Sequence, residues 1–240
     1  MIAILKKEIN TFFSSPIGYL VIGVFLTLNG LFLFLFKGDF NILDSGIGNL
    51  SAFFELTPWI LIFLVPAVTM RSFSDEIKQG TLELLLTKPI SVFNIVLGKF
   101  LGSLSLVLMA LIPTLLYVVT LYELSSMQDT IDLGSIMGSY FGLVFLVMAY
   151  TAIGVFTSSL TSNQIVAFIS AILICFLMYY GFEGLAEFKL FGNVVSIEKM
   201  GMASHFKSIS RGVLDSRDLV YFLSVCGLFL VFTKINLSKK

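Results

Sequence analysis

RSFSDEIKQGTLELLLTKPISVFNIVLGK, residues 71–99, is a charged island in an apolar chain. Arg71, Asp75, Glu76, Lys78, Glu83, Lys88 and Lys99 cluster here, whereas the stretches on either side are almost free of charge. Gly80-Thr81 precedes a short apolar burst, Leu84-Leu85-Leu86, which stops before Pro89. Thr81 can cap a short helix over 81–87. Glu83 near its start and Lys88 near its end both complement the helix dipole. Pro89 prevents continuation, and Ser91 can cap the helix that follows. A stiff short helix between two apolar segments suits a grip by another protein. An ordinary interfacial loop with snorkelling charges fits the same residues equally well.

Outward from this island, composition sets the class. Of 240 residues, 57% are hydrophobic and only 12% charged, and the mean hydropathy is +0.98. Soluble domains carry about twice that share of charge, so the chain needs lipid as its solvent. The net charge is zero, which leaves no bulk field to attract nucleic acid. Cys175 and Cys226 lie inside apolar runs and read as small buried hydrophobes. The N-terminus does not read as a cleavable signal, because Glu8 interrupts its charged part and the following apolar run is too long.

Residues 1–15 place Ile2, Leu5, Ile9, Phe12 and Phe13 at helical spacing with Lys6, Lys7, Glu8 and Asn10 between them. That is an amphipathic helix suited to the headgroup plane. Ser15-Pro16 then turns the chain into the bilayer. Six apolar segments follow, at about 17–36, 50–70, 100–121, 133–156, 164–182 and 219–237. The first holds twenty residues without a charge, one hydrocarbon thickness at about 1.5 Å per residue. Pro66 and Pro113 are candidate bends. Gly142, Ala152 and Gly154 can let helices approach closely. Residues 158–163 read as a tight polar turn, and 183–218 as short helices lying on or dipping into the outer surface. In the last span Lys234 must snorkel.

Lys and Arg counts orient the chain. With both termini inside, the inner segments hold Lys6, Lys7, Arg71, Lys78, Lys88, Lys99, Lys234, Lys239 and Lys240, and the short outer loops hold Lys37 alone. The sequence therefore predicts an all-α membrane protein with six transmembrane helices, N-in and C-in, as a single domain over 1–240, with residues 71–99 in the cytoplasm.

Several chemistries are absent from the sequence. It has no Walker A pattern, no HExxH and no GxSxG. Its one histidine, His205, cannot build a His-rich metal site. The span centres lack Asp, Glu, Lys and Arg, which argues against an ion-coupled carrier. Asn29 reads as helix glue in preference to a substrate ligand. Glu55 reads as reaching out to water, although an ionisable group in a span is also a functional candidate. Energy must therefore come from a partner.

The pattern Phe73-x-x-Glu76-x-x-x-Gly80-Thr81-Leu82-Glu83-x-Leu85-Leu86-Thr87-x-Pro89-Ile90-Ser91, followed by Leu97-Gly98-Lys99, resembles the signature of ABC-2 type permeases, the membrane subunits of ATP-binding-cassette exporters. Ser15-Pro16-Ile17-Gly18-Tyr19 and the segment from His205-Phe206 through Asp215 and Asp218 to Tyr221-Phe222 are similar to the narrower group that contains the gliding-motility permease GldF. The resemblance implies a coupling helix between spans two and three that docks on a separate ATPase subunit, with Glu76, Gly80, Thr81, Glu83, Leu85 and Pro89 as coupling-region positions. Arg71 and Lys99 are then anchors of the adjoining spans. It further implies outer re-entrant helices between spans five and six, a second permease subunit as partner, and a multi-pass location in the bacterial cytoplasmic membrane. It implies no cofactor in this chain, ATP and Mg being bound by the ATPase. A non-transporting scaffold that transmits force in a motility or secretion complex is the alternative.

Overall fold

The computed structural model describes residues 1–42, 50–87, 89–124, 132–187, 197–212 and 215–239. Lys88 and Lys240, both given a part in the sequence reading, and part of the 183–218 stretch lie outside them. Among the described residues, six helical segments are long and apolar enough to cross a membrane, and the protein is an all-α membrane protein.

The amphipathic helix α1 spans Ile2–Phe13. Pro16 opens α2, Pro16–Gly30, at a position where its missing N–H costs nothing, and a π-helical turn, Leu31–Leu35, completes the first span. The second span is α3, Ser51–Thr69, which runs through Pro58 and Pro66. Two short helices, α4 (Ser74–Lys78) and α5 (Leu82–Leu86), follow. The third span is α6, Val92–Leu111, a 3₁₀ turn at Ile112–Thr114 around Pro113, and α7, Leu115–Leu124. Ser91 Oγ accepts from Asn94 N at 3.3 Å and caps α6 as its position predicts. The fourth is α8, Leu133–Leu160. The fifth is α9, Gln164–Phe176, extended by a π turn at Leu177–Gly181 and by α10, Phe182–Glu187. A 3₁₀ turn at Ile197–Met200 and the amphipathic α11, Met202–Ile209, precede the last span, α12, Ser216–Leu237.

Helix α8 is the axis of the bundle and packs against α3, α6, α9, α11 and α12. Small residues make this possible. A Cβ added to Gly154 would stand 2.0 Å from Thr69 Oγ1, so α3 and α8 touch at backbone range there. Gly142 receives Ile209 of α11 in the same way, at 3.0 Å. Peripheral helices turn their apolar residues outward: Tyr19, Leu20 and Val24 on α2, and Ile165, Ile169 and Leu173 on α9, are exposed. In water these faces would be a liability. Facing acyl chains they cost nothing, which is why so apolar a chain needs no larger core. Cys175 and Cys226 are both buried and unbridged.

Interhelical contacts fix which ends lie together. The helices α1, α4 and α5, the start of α6, the α8–α9 turn and the C-terminal end of α12 share one end of the bundle, here the terminus-bearing end. The start of α3, the start of α8, α10, α11 and the start of α12 share the far end.

Candidate functional site

At the terminus-bearing end, the segment that joins α3 to α6 is bolted to the bundle at one side and free at the other. The fixed side begins at Ser158, in the last turn of α8. Its hydroxyl accepts from Phe73 N at 2.9 Å and from Ser74 N at 3.1 Å, and donates to Met70 O at 3.0 Å. One hydroxyl thus ends α3 and starts α4. Asp75 Oδ1 accepts from Gln164 Nε2, which ties α4 to the next helix, α9. Asn236 Nδ2 of α12 donates to the Ser159 carbonyl at 2.8 Å, so five helices, α3, α4, α8, α9 and α12, meet at this turn. The sequence shows 158–163 only as polar; it does not show that Ser158 sits inside a helix and points at residue 73.

The second fastening is an ion-pair node around Lys99, which is only 2% exposed. Its Nζ lies 2.9 Å from Glu8 Oε1 and 3.1 Å from Glu76 Oε1, donates to the Ser72 carbonyl, and stands 4.9 Å from the centre of the Phe73 ring. Lys7 Nζ adds a bond of 3.2 Å to the same Glu76 oxygen. A lysine buried this far is tolerated only with its charge matched and its donors occupied. The reading of Lys99 as an interface anchor is therefore corrected: it joins three elements, α1, α4 and α6, in the interior. Helix α1 reaches it because α6 presents glycines. Added Cβ atoms at Gly98 and Gly102 would lie 3.0 Å from Ile4 Cβ and 2.8 Å from Glu8 Cβ. Arg71 is half-buried and lines the cavity beside this node.

Beyond Lys78 the chain turns outward. Gly80 has φ +67°, which favours glycine. Gly80 N donates to Ile77 O at 3.2 Å and Thr81 N to Glu76 O at 3.0 Å, the paired bonds of a Schellman ending. Thr81 precedes α5 as expected but makes no side-chain cap there. Its Oγ1 bonds back to Glu76 O at 3.4 Å, because the Schellman turn holds it over α4. Leu82 is buried against the bundle, and Leu85 and Leu86 are half-buried. Thr81, Glu83, Leu84, Thr87 and Pro89 face outward, Leu84 with 67% of its surface exposed.

The six positions that the resemblance assigns to a coupling region therefore divide. Glu76 turns inward to Lys99, Gly80 makes the turn, Leu85 is half-buried, and Thr81, Glu83 and Pro89 form an exposed rim around Leu84. Sequence reasoning passed over Leu84. Its signal was present: in Leu82-Glu83-Leu84-Leu85-Leu86 a single helical turn cannot bury every leucine on one face.

The two polar residues singled out in the spans part company as well. Asn29 is fully buried, donates to Phe25 O at 2.9 Å and accepts from Thr57 Oγ1 at 3.4 Å, so it joins α2 to α3. Glu55 is exposed at the far end and borders a cavity of about 620 Å³, together with Trp59, Tyr180, Lys207 and Arg211. Beside it, His205 Nδ1 lies 2.6 Å from Asp218 Oδ1, and the imidazole stacks on Tyr221 at 4.0 Å between centroids. These contacts join α11 to α12.

With that geometry in place, comparison with known proteins decides the family. The profile of the ABC-2 family transporter proteins matches residues 2–213. The chain belongs to this family. No curated protein sequence matches it. As an ABC-2 family member the protein is a permease subunit of an ABC transporter, a membrane component of a family that works with an ABC ATPase subunit.

Proposed function

We propose that the exposed rim of α5, with Thr81, Glu83, Leu84 and Pro89, is the surface on which the separate ATP-hydrolysing subunit docks, and that Glu76 and Ser158 carry its movement into the spans. The observation behind this reading is the asymmetry of residues 70–91. The α4 half is fastened by Ser158, Gln164 and Lys99, while the α5 half, seated on the bundle through Leu82, turns outward an exposed leucine among polar groups. Such a pattern fits a contact that pushes on a lever. ATP and Mg belong to the partner, the terminus-bearing end faces the cytoplasm in keeping with the Lys and Arg count, and a second permease subunit completes the membrane part. The location is the bacterial cytoplasmic membrane. The finer assignment to gliding motility is supported by the likeness of 15–19 and 205–222 to GldF-type permeases.

The test is ATP hydrolysis by the purified complex. Glu83→Lys and Gly80→Pro are expected to abolish stimulated hydrolysis while both variants still insert and fold. Unchanged stimulation in both would overturn the docking surface.

A second reading has support of its own. Among the described residues, a polar-lined cavity lies at each end of the bundle, one at Lys99 and one at Glu55, and no Asp, Glu, Lys, Arg or His sits at a span centre. That suits a subunit that transmits force and passes no solute. ATP turnover without flux of any solute in sealed vesicles is its signature.

A further inference from the structure

A groove at the terminus-bearing end combines an apolar wall with cations that have no counter-ion. It measures about 580 Å³, lies between the start of α6 and the end of α12, and is lined by Phe93, Val231, Lys234, Ile235, Ser238 and Lys239. The five residues from the α12 side recur three or four positions apart, so they share one face of the helix and of the turn that continues it. Along that face the character changes in order. Val231 lies deepest in the span, Ile235 and Lys234 follow one turn later, and Lys239 stands just past the helix end, about two turns from Val231. Phe93 forms the opposite wall from the first turn of α6. Phe93, Val231 and Ile235 are all exposed. Both lysines are exposed too, and among the described residues neither has a carboxylate within ion-pair distance. No acidic side chain lines the groove.

We propose that this groove binds an anionic phospholipid of the adjoining leaflet, with its phosphate met by Lys234 and Lys239 and an acyl chain laid along Phe93, Val231 and Ile235. Two features select that occupant. First, the order of residues along α12 repeats the order of polarity in a phospholipid read from the bilayer centre outward, hydrocarbon before phosphate. A soluble anion would have no use for the apolar wall, and an apolar helix none for the lysines. Second, charge decides between lipids. Two cations without a carboxylate beside them favour a headgroup of net negative charge over a zwitterionic one, whose own ammonium would meet the same lysines. Lys99, at the same end, has Glu8 and Glu76 as counter-ions; Lys234 and Lys239 would take theirs from the lipid. The snorkelling expected of Lys234 then has a destination, its stem against the acyl chain and its ammonium at the phosphate. Bound in this way, the lipid ties the start of α6 to the end of α12. The proposal does not depend on whether α5 docks an ATPase.

The full-length protein is reconstituted in nanodiscs with equal parts of phosphatidylglycerol and phosphatidylcholine, then extracted, and its bound lipids are counted by native mass spectrometry. Phosphatidylglycerol is expected to be retained roughly twenty-five-fold over phosphatidylcholine, with about fivefold from each lysine. Lys234→Gln and Lys239→Gln should each lower that preference about fivefold, and together they should erase it. Lys6 and Lys78 are exposed cations at the same end that do not line the groove, so Lys6→Gln combined with Lys78→Gln should leave the preference intact. Equal retention of the two lipids by the parent protein, or an equal loss in the Lys6 and Lys78 variant, would overturn the site. A benzophenone side chain in place of Phe93 identifies the occupant directly. It should crosslink to phosphatidylglycerol, and capture of a second copy of the chain in its place would make the groove a protein interface and overturn the proposal.

Discussion

Lys99 of α6 and Glu76 of α4 meet at 3.1 Å in a place that water scarcely reaches, and Glu8 of α1 closes the other side of the same ammonium at 2.9 Å. The contact unites the α3–α6 linker with a helix from the other end of the sequence. A displacement of α4 would be felt here by both α1 and α6.

Removing the cation should therefore be worse than removing the whole node. Lys99→Met takes from Glu8 and Glu76 the buried cation they share, while the exposed Lys7 still reaches Glu76, a loss of about 3 kcal/mol at the low end of the range for broken buried pairs. Adding Glu8→Gln and Glu76→Gln to Lys99→Met is expected to restore a large part of it. Equilibrium unfolding in mixed micelles reads both. A single variant as stable as the parent, or a triple variant weaker than the single, would refute the node.

Ser158 offers a more local test. Ser158→Ala strands the amide donors of Phe73 and Ser74, both buried, at about 1–3 kcal/mol for a buried unsatisfied group. Hydrogen exchange at these two amides should accelerate while the middle of α8 stays protected, and Ser158→Thr should keep the slow rate. Uniform acceleration across the bundle would mean that Ser158 has no special hold on the linker.

Packing between α3 and α8 predicts a pair of opposing effects. Gly154→Ala drives a methyl into Thr69, with an expected loss of about 1–3 kcal/mol from overpacking. Thr69→Gly removes both the Oγ1 at 2.0 Å and the Cβ at 2.9 Å that the methyl would meet, so the double variant should be more stable than Gly154→Ala alone. Gly23→Ala is the control, because a Cβ there meets nothing within 4 Å. Equal behaviour of Gly23→Ala and Gly154→Ala would rule out close contact at this crossing.

Asn29 and Thr57 are expected to couple weakly. Polar pairs between membrane helices average about 0.6 kcal/mol in double-mutant cycles, and the 3.4 Å separation does not suggest more. A cycle of Asn29→Leu and Thr57→Val measured by reversible unfolding should give a value of that order. Zero coupling would mean that Asn29 serves only its bond to Phe25 O.

Much of this architecture is local and was therefore readable. The length of an apolar run, a proline at a helix start, Ser91 before α6 and the break in helix at Pro113 depend on neighbours within a turn or two. The amphipathic spacing of α1 is local as well, and so is the turn at Gly80, although the partner bonds that hold Thr81 back over α4 were not foreseen. The far-end helix α11 falls in the stretch read as short helices, 183–218, and buries Met202, Ala203, Phe206 and Ile209.

By itself, the sequence determined the class, the number of spans and the site of the exposed linker, because hydropathy and helix-end chemistry add up residue by residue. Only the tertiary structure decided what Glu76, Lys99 and Ser158 do. A lysine at the edge of a span looks like a snorkelling anchor until its partner is known, and Glu8 stands 91 positions away in the chain. The glycines of α6 that let α1 lie down, and the glycine of α8 that lets α3 come close, set those distances. Burial of a charge is the joint result of several helices meeting, and no single stretch of sequence contains it.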